Sequence, residues 1–250
     1  MQERFRHALG VLRGRVPVIA GVSNAALANV RALAWTAMDA GAAGVLIAPA
    51  MGLRGDDQLY EYYAGVFEAL GPGIPVAYQD YPQTTGVFLS AALFGRLVRS
   101  FPQLVMLKAE DCPGLRKLSR IRADEQHGQR RVSILAGNGG LYLPQELRRG
   151  ADGVMTGFAY PEMLVQVYER FVAGDPDGAE DIYEAYLPLA TYEQQPGFGL
   201  AVRKEILRRR GAIASAKVRS PGFAMDETDI CELDALQARL ERALSRPGRP

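Results

Sequence analysis

The chain has few of the residues that most often carry metal or redox chemistry: of 250 residues, two are cysteine and two are histidine. Cys112 and Cys231 lie far apart and lack metal-ligand spacing. A disulfide framework is therefore not indicated, and a reducing, cytoplasmic location is expected. His7 and His127 sit in polar surroundings without a partner at ligand spacing, and read as surface residues. Metal-assisted chemistry needs a cluster of His and carboxylate ligands, which the sequence does not contain, so no metal is expected. Charge of one sign is also lacking: a net charge of +1 gives no preference for nucleic acid or an acidic membrane surface. No apolar run reaches the roughly 18 residues of a membrane span. The first stretch, MQERFRHALGVLRGR, lacks the apolar core of a signal peptide.

What the chain does have is apolar residues, 48% of the total, ample for one sizeable core. Strand-like and helix-like patterns alternate from Val16 to about Ala173. The run VPVIAG at 16–21 reads as a buried parallel strand. Leu27, Val30, Ala34 and Met38 then repeat at helical spacing. Further strands are expected at 45–48, 74–79, 104–108, 133–136 and 154–156. The helices between and after them fall at about 57–70, 89–97, 115–121, 144–149 and 164–171. The turn Gly41-Ala42-Ala43-Gly44-Val45 recurs as Gly150-Ala151-Asp152-Gly153-Val154. In each, the first glycine suits a left-handed helix cap and the second permits close backbone approach at strand entry. The repetition supports βα units with parallel strands and right-handed crossovers. From about Asp175 the chain reads as helical, with apolar helical spacing over 200–210 and 230–244. Pro188, Pro196 and Pro221 punctuate that segment, and the final SRPGRP reads as a frayed end. The expected organisation is a partial β/α barrel over residues 1–174, with a helical extension over 175–250 packed on it as one domain.

In β/α barrels the functional residues sit at the C-terminal ends of the strands. Here those positions hold Ser23 and Asn24; residues 49–54; Gln79, Asp80 and Tyr81; Lys108, Glu110 and Asp111; Asn138; and Thr156 and Phe158. Lys108 stands out because Leu104-Val105-Met106-Leu107 precede it directly. A lysine closing a buried strand either reaches out to solvent or faces the barrel mouth. In the second case partial burial disfavours the ammonium form and leaves a nucleophilic amine. Position alone favours the solvated rim lysine.

The stretch 15–211 resembles the dihydrodipicolinate synthase and N-acetylneuraminate lyase family, class I aldolases on an eightfold β/α barrel. RVPVIAGVS resembles the family's third strand, and GAAGVLIAPA with LYEYYAGVFEAL the fourth strand and its helix. IPVAYQDYPQTTGVFLS resembles the fifth, LVMLKAED the sixth, SILAGNGG the seventh and GADGVMTGFA the eighth. GLAVRKEILRRRGAI resembles the helix that closes the family's C-terminal region. The resemblance implies a TIM (β/α)8-type barrel, N-terminally truncated to about six βα units, with a C-terminal helical extension. It implies Lys108 as the Schiff-base residue, Pro49 as a shaper of the pocket and Thr85-Gly86 as a turn. It implies no cofactor beyond the covalent lysine imine, a small 2-keto acid as partner, and a homodimer or homotetramer.

Three departures qualify the match. The family's first strand, first helix and second strand are expected to be missing, with the Gly-Thr-Thr-Glu loop that binds the substrate carboxylate. Arg54 is available for that carboxylate instead. Gln79 stands where the family has its catalytic tyrosine, and glutamine cannot act as a general acid or base. Tyr81 and Asp80 are the available substitutes; by strand alternation Tyr81 shares the inward face of Gln79 while Tyr78 points outward. Finally, Ala50-Met51-Gly52 replace the tyrosine pair after the fourth strand, which argues against the synthase reaction itself. The Gln-Asp-Tyr-Pro and Lys-x-Glu-Asp strands look more like the branch that acts on 2-keto-3-deoxy sugar acids.

The implied chemistry is attack of Lys108 on the 2-keto carbon, giving an iminium ion that draws electrons from C3. A dehydratase then expels a hydroxyl, and an aldolase breaks the C3–C4 bond. Lys108, Tyr81 and Asp80 are the expected catalytic residues; Gln79, Glu110, Asn138 and Thr156 are expected to contact substrate. Glu110 or Asp111 is placed to hold the lysine or shuttle a proton, although a purely structural carboxylate is the commoner case. Two other readings compete. GNGG at 137–140 followed by GADGVMTG at 150–157 resembles the phosphate site of flavin-binding barrels, where backbone N–H groups cradle a phosphate. A truncated, inactive family member is the other.

Overall fold

The computed structural model describes residues 2–245; Met1 and 246–250, most of the end read as frayed, lie outside the described residues. Six strands form one sheet: β1 Ile19–Gly21, β2 Gly44–Ile47, β3 Val76–Asp80, β4 Leu104–Ala109, β5 Ser133–Ala136 and β6 Gly153–Val154. Their order in the sheet follows the chain, β1-β2-β3-β4-β5-β6, and the β1–β2, β2–β3 and β3–β4 pairs are parallel. Chain order and spatial order coincide because each helical crossover returns the chain beside the strand it left. The strand expected at 154–156 is shorter. It ends at Val154, one further ladder bond follows from Met155 N to Ala136 O at 2.8 Å, and Thr156 then turns into a loop contact.

The chain divides into two compact units. One holds the chain up to Leu135 together with Arg149–Asp152, and the other holds Ala136–Arg148 and the chain from Gly153 onward. In the first unit, α1 Gln2–Leu12 precedes β1. The crossover helices are α2 Leu27–Asp39, α3 Gly55–Leu70, the single turn α4 Pro82–Thr85 with α5 Ala91–Ser100, and α6 Leu115–Gln126. The sequence pattern did not single out α1; it buries no residue completely and rests Phe5 and Leu9 against the core.

The core of this unit shows which face of β3 meets the helices. Tyr78 is fully buried, stacked on Tyr63 of α3 at 4.5 Å and edge-on to Phe94 of α5 at 6.5 Å. The Tyr63 hydroxyl donates to Ile47 O at 2.9 Å, which fixes α3 to β2. The two glycine turns behave as their spacing implies. Gly41 and Gly150 have φ of 95° and 93°, the left-handed region a side chain avoids. A Cβ on Gly44 would lie 2.9 Å from Pro75 O, so strand entry there demands a bare backbone. The second of these turns is pinned by Arg122 of α6, which donates to Gly150 O at 2.8 Å and pairs with Asp152 at 2.6 Å.

The second unit contains a 3₁₀ turn at Asn138–Gly140 and the helices α7 Leu143–Arg148, α8 Pro161–Val172, α9 Pro176–Glu193, α10 Gly199–Arg209 and α11 Glu227–Leu244. Pro188 does not punctuate this segment as expected: it lies inside α9, which continues to Glu193. Proline removes one helix hydrogen bond, but Tyr183, Tyr186, Leu189 and Ala190 are buried around it, and that packing carries the helix through. Helix α11 begins with a capping box in which Asp226 and Asp229 each accept from the other's backbone N–H. Among the described residues no helix is long and apolar enough to cross a membrane.

Candidate active site

The first unit gathers a compact set of charged and polar side chains at the C-terminal ends of β3 and β4. In the parallel ladder Gln79 pairs with Lys108 and Asp80 with Ala109. Since Tyr78 faces the helices, alternation turns Gln79 to the other side of the sheet and Asp80 back to the helix side. Lys108 Nζ lies 3.1 Å from Glu110 Oε1, and Gln79 Nε2 donates to Glu110 Oε2 at 2.7 Å. Backbone pairing reinforces this, with Glu110 N donating to Asp80 O at 2.9 Å. The lysine and glutamate side chains are only 14% and 8% exposed, so Lys108 is not the solvated rim lysine that its position alone favoured.

Asp80 belongs to a second cluster on the helix side. Its Oδ2 lies 2.7 Å from Lys117 Nζ, and Lys117, on α6, also pairs with Asp111 at 2.6 Å. Asp80 is buried, and its Oδ1 has no hydrogen-bond partner among the described residues. Burial pushes its carboxyl up to about 6, with Lys117 pulling the other way. Lys117 was not singled out in the sequence. Its only local signal is a lysine in the first turn of the helix that follows the lysine strand, and which face of that helix meets β3 is decided by packing.

Tyr81 directly follows β3 and sits at the N-cap of α4, where its carbonyl accepts from Thr84 N and Thr85 N at 3.1 Å each. Gly86 closes this turn at φ 69°, as Thr85-Gly86 implied. Pro49 is buried, whereas Arg54 is exposed and caps α3 with its backbone. Ser23 Oγ accepts from Ala48 N at 2.8 Å, and Asn24 Oδ1 accepts from Ala26 N and from Asn29, each at 3.1 Å.

In the second unit, Asn138 has φ 47° and opens the glycine turn, and Thr156 Oγ1 accepts from Gly139 N at 2.7 Å. Gly140 N donates to Gly137 O and Leu141 N to Asn138 O. The N–H groups of Gly139, Gly140 and Leu141 are thus each committed to a partner. The glycines of this turn serve packing: a Cβ on Gly139 would meet the Gln194 side chain at 2.1 Å, and one on Gly140 would meet Leu164 at 2.7 Å. Phe158 is buried against Tyr160 and Tyr186. Beside it, the buried Glu193 accepts from Ala159 N at 3.0 Å and pairs with Arg203 at 2.5 Å; burial raises its carboxyl while the arginine lowers it.

The family model for the dihydrodipicolinate synthetase family matches residues 2–240. The chain belongs to that family. The resemblance carried by the strand motifs is borne out, and with it a TIM-barrel type of fold. A solved dihydrodipicolinate synthase from Rhodopseudomonas palustris matches with a TM-score of 0.91 at 42% identity, over 96% of this chain and 81% of that one. An L-2-keto-3-deoxyarabonate dehydratase of Azospirillum brasilense is 32% identical over 249 residues, 96% of this chain and 77% of the relative. A 4-hydroxy-tetrahydrodipicolinate synthase of Sorangium cellulosum is 33% identical over 247 residues, 95% of this chain and 77% of the relative. Members of the family are lyases of the class I aldolase type.

Proposed function

We propose that this chain is a Schiff-base-forming lyase acting on a 2-keto acid of the 2-keto-3-deoxy sugar acid class, with Lys108 as the attacking amine. The observation that carries the proposal is the placement of Lys108 at the end of β4, nearly enclosed and paired with Glu110. Membership of the lyase family and the 32% identity to a 2-keto-3-deoxyarabonate dehydratase support the substrate class. The substitution of Gln79 for the family's tyrosine favours this class over the synthase reaction.

The chemistry follows from the imine. Nitrogen bonded to C2 and protonated draws the electrons of the C3–H bond, so loss of that proton yields an enamine that can expel a hydroxyl from C4. The same electron sink accepts the pair released when C3–C4 breaks. Asp80 is held by Lys117 on the helix side of β3, which favours a supporting part for it over proton transfer. Asn138 and Thr156 hold the glycine turn of the second unit together. The committed N–H groups of that turn weigh against a flavin phosphate.

The test is borohydride trapping. The protein is incubated with pyruvate or a 2-keto-3-deoxy sugar acid, reduced, digested and weighed. The chain has four lysines, Lys108, Lys117, Lys204 and Lys217, so the adduct is readily mapped. The proposal expects it on Lys108 and expects none in Lys108→Ala. Absence of an adduct with any keto acid, or an adduct on another lysine, removes the proposal.

A further inference from the structure

We propose that Glu110, oriented by Gln79, is the catalytic residue that moves protons at the Lys108 nitrogen; this rests on the reading of Lys108 as the imine-forming lysine. Gln79 and Lys108 are partners across the β3–β4 ladder, and Glu110 lies two residues beyond Lys108, so alternation puts all three on one side of the sheet. Each carboxylate oxygen of Glu110 has its own contact. Oε2 accepts from the Gln79 amide at 2.7 Å, and Oε1 faces Lys108 Nζ at 3.1 Å. Gln79 cannot exchange a proton, but by donating to one oxygen it holds the carboxylate in place and directs the other at the nitrogen. Glutamine at position 79 is thus matched by an acidic group at position 110, within reach of the reacting atom. The other acidic and phenolic groups nearby are less well placed. Asp80 is engaged by Lys117 on the opposite strand face, and Tyr81 sits at the N-cap of α4 with its carbonyl committed to that turn.

The proton movements balance without another reactant. The Lys108 ammonium gives one proton to Glu110 Oε1. The neutral amine attacks C2, the N–C bond forms, and the carbonyl pair moves to oxygen, which takes up a proton from the nitrogen. The product is a neutral carbinolamine. Protonated Glu110 then gives its proton to the carbinolamine hydroxyl, the C–O bond breaks, and water leaves. An iminium ion remains beside the regenerated carboxylate. One ammonium and one ketone have become one iminium and one water, and Glu110 ends as it began.

Imine formation is measured on the full chain with pyruvate, quenching with borohydride at set times and weighing the intact protein. General acid–base catalysis is worth roughly 10²–10⁴-fold, and Glu110→Gln is expected to slow adduct formation by that order. A role limited to charge pairing gives the opposite result. Removing the negative charge makes the neutral amine easier to form, and the adduct appears faster. An unchanged or faster rate in Glu110→Gln therefore overturns the proposal while leaving the Lys108 adduct intact. Wild-type protein that forms no adduct overturns both readings together. Glu110→Ala with added formate supplies the carboxylate from solution and is expected to recover part of the rate; a slow, folded Glu110→Ala that formate does not accelerate also counts against it. Glu110→Asp, checked for native circular dichroism, retains a shortened carboxylate and is expected to fall between wild type and Glu110→Gln.

Discussion

Lys117 Nζ lies 2.7 Å from Asp80 Oδ2, so helix α6 is tied to the C-terminal end of β3 by an ion pair buried on both sides. The strand residue immediately before Asp80 is Gln79, which donates to Glu110 on the other face of the sheet. Two consecutive residues therefore serve two layers. The charge pair behind the strand steadies the backbone from which the amide in front of it is presented.

Breaking that tie is expected to be costly in a pH-dependent way. In Lys117→Met the buried Asp80 loses its counter-charge, a change worth about 3–5 kcal/mol when one member of a buried pair is removed. The folded-state carboxyl of Asp80 is already raised to about 6, chiefly by burial. Below that pH it is largely protonated, and the pair matters less. Urea denaturation should show the larger loss of stability at pH 8 and a smaller one at pH 5. Equal losses at both would disprove the link to Asp80 ionisation.

Gln79 offers a separate handle on the lysine site. A hydrogen bond to a charged group contributes about 1.5–3 kcal/mol, and Gln79→Met removes one such bond to Glu110. The expected outcome is an adduct still on Lys108 but formed roughly 10- to 100-fold more slowly. Stopped-time borohydride trapping measures it, and a wild-type rate would show that the amide does not orient the carboxylate.

Glu146 in α7 illustrates burial without a compensating charge. Desolvation pushes its carboxyl up to about 7. An acid whose folded value is raised costs nothing at low pH, where both folded and unfolded forms are protonated. It loses stability as pH rises from its unfolded value of 4.5 to about 7. Glu146→Gln is therefore expected to stabilise the protein by about 1–3 kcal/mol at pH 8 and to leave it unchanged near pH 4. Thermal melts of both proteins across that range check the sign; a stabilisation that is the same at both ends would exclude ionisation as the cause.

Gly44→Ala tests the close approach at the entry to β2. The added Cβ would sit 2.9 Å from Pro75 O, a backbone atom that cannot rotate away. Overpacking of this kind costs about 1–3 kcal/mol. Gly21→Ala, where a Cβ meets nothing within 4 Å, serves as the matched control. A drop in melting temperature confined to Gly44→Ala is the expected result.

Much of this molecule was legible because its signals are local. The alternation of short apolar runs with helical spacing located the strands, since a parallel strand buried on both faces must be apolar throughout. The paired glycine turns reported positive φ at Gly41 and Gly150 and tight approach at Gly44, because both demands act on one residue's own backbone. Lys108 was recognisable at the end of its strand for the same reason: the apolar run and the charge that ends it are adjacent in the chain. Its burial was not. That depends on what stands across from it, and position alone pointed to solvent.

Residues whose meaning depends on a partner far along the chain came only with the tertiary structure. Register between β3 and β4 set Gln79 opposite Lys108 and delivered Glu110 to both. Alternation along β3 turns Asp80 away from the lysine's side of the sheet, and the packing of α6 brings Lys117 to it there. Pro188 reads as a helix breaker until the buried neighbours in α9 are seen to hold the helix through it. The sequence alone thus located the strands, most of the helices, their order and the lysine, through periodicity and backbone demands that each residue states for itself. Only the fold decided which charge faces which, because an ion pair is a property of two positions and of the low-dielectric space between them.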